Sequence, residues 1–459
     1  MRPVFSIIVL VIAMGNAPRI FAIQESTNQV DGARRLLIEA SHLLKDIPDS
    51  QQSSAVENIA GQLTRAGDLP DALATTHMLK NAGAQSHATG SIAWQLAHAG
   101  NFAEAIALVD SMPDDQNKES NYETLAALIA EKGDLEIALQ TAHRCKDRIG
   151  IANALLRIAR ERAKRKDLSG AKEVFGEAID LSNKAVEEDP AKVTFLGEIA
   201  SAQAETGDMA GAFRTVDEFS AIAHRQGTEG NGLLLQVLAS AQARIGDVSG
   251  AQRTVAEMTS GNNPVFALMA ISQEQAKRGL LVDALETAEL ISDSGLKSSA
   301  LREIGILNGT HGTLQDALEA IDRISQPSAR AEAIAALALE QAVSENTAAS
   351  STLQAALNIA TESASQASDK PLEMIAVTRA LLGDFAGAQQ IVQNMAEPES
   401  RVWPLWNITS MLVEAGHTQE ALALAENQDA AYPKAYALLG AAQGMLNRVD
   451  AETAASRKH

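Results

Sequence analysis

Between residues 144 and 172 the chain carries ten Lys and Arg, although its formal net charge is −20. Within that run Arg157, Arg160 and Lys164 follow i, i+3, i+7 spacing, which sets them on one face of a helix, away from Leu155, Ile158 and Ala159. Such a row is either a contact for a charged partner or a solvated face balanced by Glu161 and Asp167. The three tryptophans form the other conspicuous set. Trp403 and Trp406 precede Gly416 by thirteen and ten residues, and Trp94 precedes Gly100 by six, offsets that point away from the apolar stripe. Exposed tryptophan anchors interfaces; the plainer reading is packing against the preceding unit, with His87 and His98 beside Trp94 on the same face. The single cysteine, Cys145, stands where other units place methionine or isoleucine, as a packed thiol rather than a nucleophile. No H-E-x-x-H, G-x-S-x-G, phosphate-binding loop or cysteine pair occurs. The histidines are scattered, so the sequence offers no metal site, cofactor site or catalytic residue. Asn308 and Asn407 open Asn-x-Thr sequons, but both fall in expected helix interiors, which disfavours glycosylation.

The elements that position these residues repeat. IASAQAETGDMAGA, from Ile199, recurs as LASAQARIGDVSGA from Leu238. A turn glycine, or a residue in its place, falls at Asn28, Gly67, Gly100, Gly133, Lys166, Gly207, Gly246, Gly279, Gly312, Glu345, Gly383, Gly416 and Asn447, and seven of the twelve intervals are 33 residues. Before each turn, apolar residues lie at helical spacing, as in Tyr122, Leu125, Ala126 and Ile129. The fifth residue after it is nearly always alanine, from Ala72 to Ala421, and a position that takes only a methyl group implies two closely crossing helices. Glycine supplies the left-handed backbone that ends one helix, and the following aspartate caps the next. Lys166, Glu345 and Asn447 lack that freedom, so strained turns are expected there. The intervals longer than 33 keep helical periodicity and are expected to lengthen the second helix of their units.

This pattern resembles the tetratricopeptide repeat family, on the helix, the Gly-Asp-aliphatic turn and the alanine, as in GDLPDA from Gly67, GNFAEA from Gly100 and GDFAGA from Gly383. It covers residues 28–448. It departs from the family in placing Gln203, Gln242, Gln275 and Gln341 at a usually aromatic position and in mostly lacking the closing proline. The resemblance implies an all-α fold, a right-handed α-α superhelix of antiparallel helix pairs, in which the face bearing Arg157, Arg160 and Lys164 lines a concave groove and grips carboxylates of a bound peptide.

Residues 1–22 read as a signal peptide: Arg2, an apolar run from Val4 to Met14 too short to span a bilayer, and a small-residue cleavage point after Ala22. Residues 23–48 read as an N-terminal capping helix, 49–448 as the tandem repeats and 449–459 as a polar C-terminal cap. Losing Arg2 and Arg19 takes the net charge from −20 to −22. So acidic a chain repels nucleic acid and anionic lipid, so neither is an expected partner, and no membrane contact is expected beyond the signal peptide. The expectation is an exported, periplasmic or extracellular, non-enzymatic scaffold binding a protein or peptide segment, with Arg157, Arg160 and Lys164 supplying charge and Trp403, Trp406 and Trp94 apolar anchoring. The alternatives are a structural component of a cell-envelope complex and, lower, a cell-wall hydrolase with a superhelical body. Oligomeric state is not legible.

Overall fold

The computed structural model describes residues 28–188, 194–225, 232–258, 264–311, 314–362 and 369–456. The expected signal peptide and the turn at Gly312 lie outside the described residues. Among the described residues the long elements are all α-helices. In chain order they are α1 (28–43), α2 (Asp49–Arg65), α3 (Leu69–Thr76), α4 (Ala82–His98), α5 (Phe102–Asp110), α6 (Gln116–Lys132), α7 (Leu135–Ala142) and α8 (Arg148–Lys164). There follow α9 (Leu168–Glu188), α10 (Thr194–Glu205), α11 (Met209–Arg225), α12 (Gly232–Arg244), α13 (Val248–Ala256), α14 (Val265–Lys277), α15 (Leu281–Glu289) and α16 (Ser294–His311). The last are α17 (Leu314–Asp322), α18 (Pro327–Val343), α19 (Ala349–Glu362), α20 (Lys370–Leu381), α21 (Phe385–Asn394), α22 (Val402–Glu414), α23 (Thr418–Glu426) and α24 (Ala431–Ser456). Even-numbered helices up to α22 are the first members of helix pairs, and odd-numbered helices from α3 the second. The chain forms two compact units, one of Met1–Gln95 with Arg379–His459 and one of Leu96–Thr378.

The repeat residues do what their types imply, and the organisation is tetratricopeptide-like. Gly67, Gly100, Gly133, Gly207, Gly246, Gly279, Gly383 and Gly416 all have positive φ, between 74° and 111°. At the Gly207 turn the amide of Asp208 donates to the Gln203 carbonyl (2.8 Å) and that of Gly207 to Ala204 (3.0 Å), which satisfies the carbonyls that end α10. Lys166 and Glu345 adopt the same left-handed backbone, at φ 67° and 55°, without glycine's freedom. The aspartates after the turns, Asp68, Asp134, Asp247 and Asp384 among them, accept from the amide three residues on. Asn28 and Asn447 differ from the expectation, since both are helical. Asparagine is no helix breaker on its own, and α24 runs unbroken through Asn447 to Ser456.

The alanine five residues past each turn is fully buried at Ala72, Ala105, Ala138, Ala212, Ala251, Ala284, Ala317, Ala388 and Ala421. Ala251 sits with Ala239, Ala243, Ala267 and Ile271 in one cluster, so the methyl groups of α12, α13 and α14 meet where three helices converge. The long intervals do lengthen second helices: α9, α11 and α19 have 21, 17 and 14 residues, where α3, α7 and α13 have 8, 8 and 9.

One internal feature was not foreseen. Four residues before a turn, Leu63, Leu96, Ile129 and Leu412 are apolar, but most units place Gln, Arg or Asn there, and in four units this side chain bonds to the following helix or its cap. Gln203 accepts from the Thr215 hydroxyl (2.8 Å) and Gln242 from that of Thr254 (2.7 Å), while Arg162 and Arg379 donate to the capping Asp167 and Asp384. In these four units the fourth residue past the turn is glycine. A Cβ at Gly170, Gly211, Gly250 or Gly387 would run into the capping aspartate, and at three of them into Arg162, Gln203 or Arg379 as well. The glycine thus makes room for a polar pair that the buried junction must keep satisfied.

Candidate functional site

Numbered back from the turn, the positions −13, −10, −9, −6 and −2 fall on the side of each first helix that leaves the apolar stripe. All six residues singled out in the sequence lie on this side. In the 96–378 unit, Arg157 is exposed, and Arg160 and Lys164 continue its row along α8. Each has an acidic neighbour. Nε of Arg160 donates to Glu205 on α10 (2.8 Å), and Nζ of Lys164 donates to Glu161 (2.6 Å). Arg157 faces Glu123 of α6; burial pushes the Glu123 carboxyl above its ordinary range, and Arg157 and Asn153 oppose that shift. The basic run as a whole is similarly matched: Arg144 pairs with Asp110, Lys146 with Asp114, Arg162 with Asp167 and Lys172 with Asp208, while Arg165 donates to the carbonyls that end α6. These cations stitch neighbouring helices together.

The stitching continues across the same face. Arg244 of α12 reaches back to Glu198 of α10 (3.1 Å), Gln273 of α14 donates to Glu303 of α16 (3.3 Å), and Arg302 pairs with Glu332 of α18 (3.2 Å). Between these ties the face opens into two adjoining hollows of about 430 and 380 Å3. They share Arg244 and Gln273 and run over α10, α12, α14 and α16. Small residues (Ser201, Ala204, Ser240, Ala270, Ser299 and Ala300) leave the space, and Phe266 and Met269 stand at one side of it. Phe266 is 57% exposed. The sequence reading missed this aromatic, yet the signal was present: Phe266 stands thirteen before Gly279, the register of Trp403 before Gly416, and Met269 stands ten before, the register of Trp406.

In the other unit, Trp406 is half-buried and meets α24 of the next repeat. Its Nε1–H donates to Gln443 Oε1 of α24 (2.7 Å), and its ring meets Tyr436 edge to face at 5.7 Å. Tyr432 in turn meets Tyr436 at 5.1 Å, and burial raises the Tyr432 phenol well above its usual range. Trp403 remains 38% exposed and Trp94 37%. His87 pairs with Glu57 of α2 (3.3 Å).

The residues set aside as structural are so placed. Cys145 is buried, and burial, then Glu119, Glu123 and Asp147, push its thiol up to about 12, which leaves it protonated and unreactive. Asn308 and Asn407 lie inside α16 and α22 with their amides bonded to Ile304 and Trp403 carbonyls. Among the described residues no group of three or more His, Cys, Asp and Glu is arranged to hold a metal ion, and no helix is long and apolar enough to cross a membrane.

No family model and no curated protein matches the chain. Among solved structures, Ton1535 from Thermococcus onnurineus NA1 is similar at 18% identity over 77% of this chain and 98% of its own, with a TM-score of 0.32. The human IFIT1 dimer with PPP-AAAA is similar at 15% identity over 86% and 93%, TM-score 0.28. A circular tandem repeat protein with novel repeat topology is similar at 13% identity over 93% and 99%, TM-score 0.22.

Proposed function

We propose that the chain is an exported, non-enzymatic scaffold that binds an extended protein or peptide segment on its first-helix face. The observation behind this reading is the pair of adjoining hollows over α10, α12, α14 and α16, where small residues leave space and an aromatic side chain stands in solvent beside them. An extended segment can rest an apolar side chain on Phe266 and Met269 while its backbone amides meet Ser240 and Gln273, whose side-chain oxygens keep acceptor capacity. Arg160 and Lys164 act at the rim. A ligand carboxylate there competes with Glu205 and Glu161, so these cations contribute orientation more than affinity. Assembly end to end into an envelope structure is the weaker reading, because the first and last repeats cover each other's outer faces within one unit.

Selection of the purified chain against a displayed library of linear peptides tests the reading. Enriched peptides carry an aromatic or aliphatic anchor, and Phe266→Ala weakens their binding about tenfold, the effect of truncating one interface anchor. Arg160→Ala with Lys164→Ala weakens it a few-fold. Undiminished binding to Phe266→Ala would remove the groove from consideration. Export is tested separately, by N-terminal sequencing of the protein recovered outside the cytoplasm: the mature chain begins at Ile23.

A further inference from the structure

In a stack of helix pairs, the outer face of the first pair and that of the last have no neighbour. Here they have each other. Helix α2 lies against α24 within the unit formed by Met1–Gln95 and Arg379–His459, across a sequence separation of nearly the whole chain. Ser54 and Tyr436 share a hydroxyl hydrogen bond (2.8 Å), and Asn58 donates to the same Tyr436 oxygen (3.2 Å). Gln62 donates to Gln443 (3.3 Å), and Arg65 donates to both Asn447 (2.7 Å) and Asp450 (2.6 Å). Helix α1 joins the seam where Gly32 faces the Met445 sulfur.

The bonds of this seam differ from those on the other side of α24. Against α22, beside side-chain bonds such as Trp406 to Gln443, the backbones themselves meet: Gly440 and Gly444 lie on the Trp406 and Ser410 carbonyls with no room for a Cβ, and the Thr409 hydroxyl donates to the Ala437 carbonyl (2.9 Å). The hydrogen bonds from Ser54, Asn58, Gln62 and Arg65 to α24, by contrast, all run between side chains. One buried acceptor, the Gln62 Oε1, has no partner at all. Long polar side chains meeting at a rim, with Asp450 mostly exposed, make an interface that water can replace more readily than the glycine contact. The two sides of the seam are joined covalently only through the remaining repeats.

We infer that the α2–α24 seam is a clasp with two partners: it closes a chain on itself, and it takes the α2 or α24 of a second copy when the chain opens. The partner is this same chain because each half of the seam already presents the hydrogen-bonding complement of the other. Exchange of identical elements is a known route from closed monomer to dimer.

Charge reversal in the full chain separates the two modes. Arg65→Asp sets like charges against Asp450 in one chain, and Asp450→Arg sets like charges against Arg65 in another, yet the two variants complement each other in trans. Each alone sediments as a monomer with an increased radius of gyration. Mixed in equal amounts, they form a one-to-one dimer in native mass spectrometry, and a single chain carrying both substitutions returns to the compact monomer. Tyr436→Phe, which removes the hydroxyl shared by Ser54 and Asn58 without altering charge, provides a milder opening: its dimer fraction rises with concentration above that of the unsubstituted chain. The inference is overturned if the mixture and Tyr436→Phe both remain monomeric at every concentration, or if the doubly substituted chain dimerises as strongly as the mixture.

Discussion

At the scale of the residue, the strongest constraints are steric. Ala251 sits at the convergence of α12, α13 and α14, with Val248, Val255 and Ala270 packed around the buried cluster. Ala251→Leu adds three heavy atoms where there is no void, and over-packing of this kind costs about 1–3 kcal/mol. Urea unfolding followed by circular dichroism will show the midpoint falling, and Ala251→Ser, which keeps the size, will lower it much less. The two non-glycine left-handed residues make the opposite prediction. A side chain at φ 67° or 55° costs roughly 1–2 kcal/mol of backbone strain, against which glycine loses some chain entropy. Lys166→Gly and Glu345→Gly should each therefore raise stability by about 0.5–1 kcal/mol, read as a higher urea midpoint; an unchanged or lower midpoint would mean that those turns carry no strain. Both sites were legible in the sequence, because a period is a statement about backbone: the residue that stands where glycine recurs must adopt glycine's conformation. Asn447 shows the limit of that logic. It fell on the beat, but nothing in NRVDAETAAS stops a helix, and periodicity alone does not make a turn.

At the scale of the element, the sequence announced helices and their crossings but not the ties between them. The spacing of Arg157, Arg160 and Lys164 sets them in one row along α8. Lys164 pairs with Glu161 within α8, but Glu123 and Glu205, which face Arg157 and Arg160, lie on other helices, and no spacing within one helix reveals a pairing across two. Such ties also carry a pH dependence. His224, at the end of α11, bonds Glu257 at the end of α13 (3.0 Å). That bond, followed by one to the Ser220 carbonyl, raises its pKa above 6.5. A raised folded-state pKa means that the added stability is complete below pH 6.5, the unfolded value, and is lost as pH rises through the raised one. Both partners are substantially exposed, so the effect is local. Hydrogen exchange, corrected for intrinsic rates, should show the last turns of α11 and α13 better protected at pH 6 than at pH 8. His224→Gln should abolish the difference, and equal protection at the two pH values in the unsubstituted chain would show that the tie contributes nothing.

At the scale of the whole molecule, the seam changes what a repeat chain is expected to do. In an open stack, stability is a sum of neighbouring terms, so a lesion at one end is felt by the adjacent repeat and fades within a few. Nothing in the repeat pattern warned of anything else, because contacts between residues about 380 apart, such as Gln62 with Gln443, leave no periodic trace. Removing residues 431–459 deletes α24 and so strips α22 of the glycine-lined surface of Gly440 and Gly444. It also takes from α2 the hydrogen bonds of Ser54, Asn58, Gln62 and Arg65, at the opposite end of the sequence. Hydrogen exchange on the truncated chain should therefore show two separate regions of lost protection, one in α22 and α23 and one in α1 and α2, with α12 to α15 unchanged. An open stack predicts the first region alone. Loss confined to α22 and α23 would mean that α2 is held by α3 and α4 without help from α24, and that closure adds nothing to the stability of the N-terminal repeat.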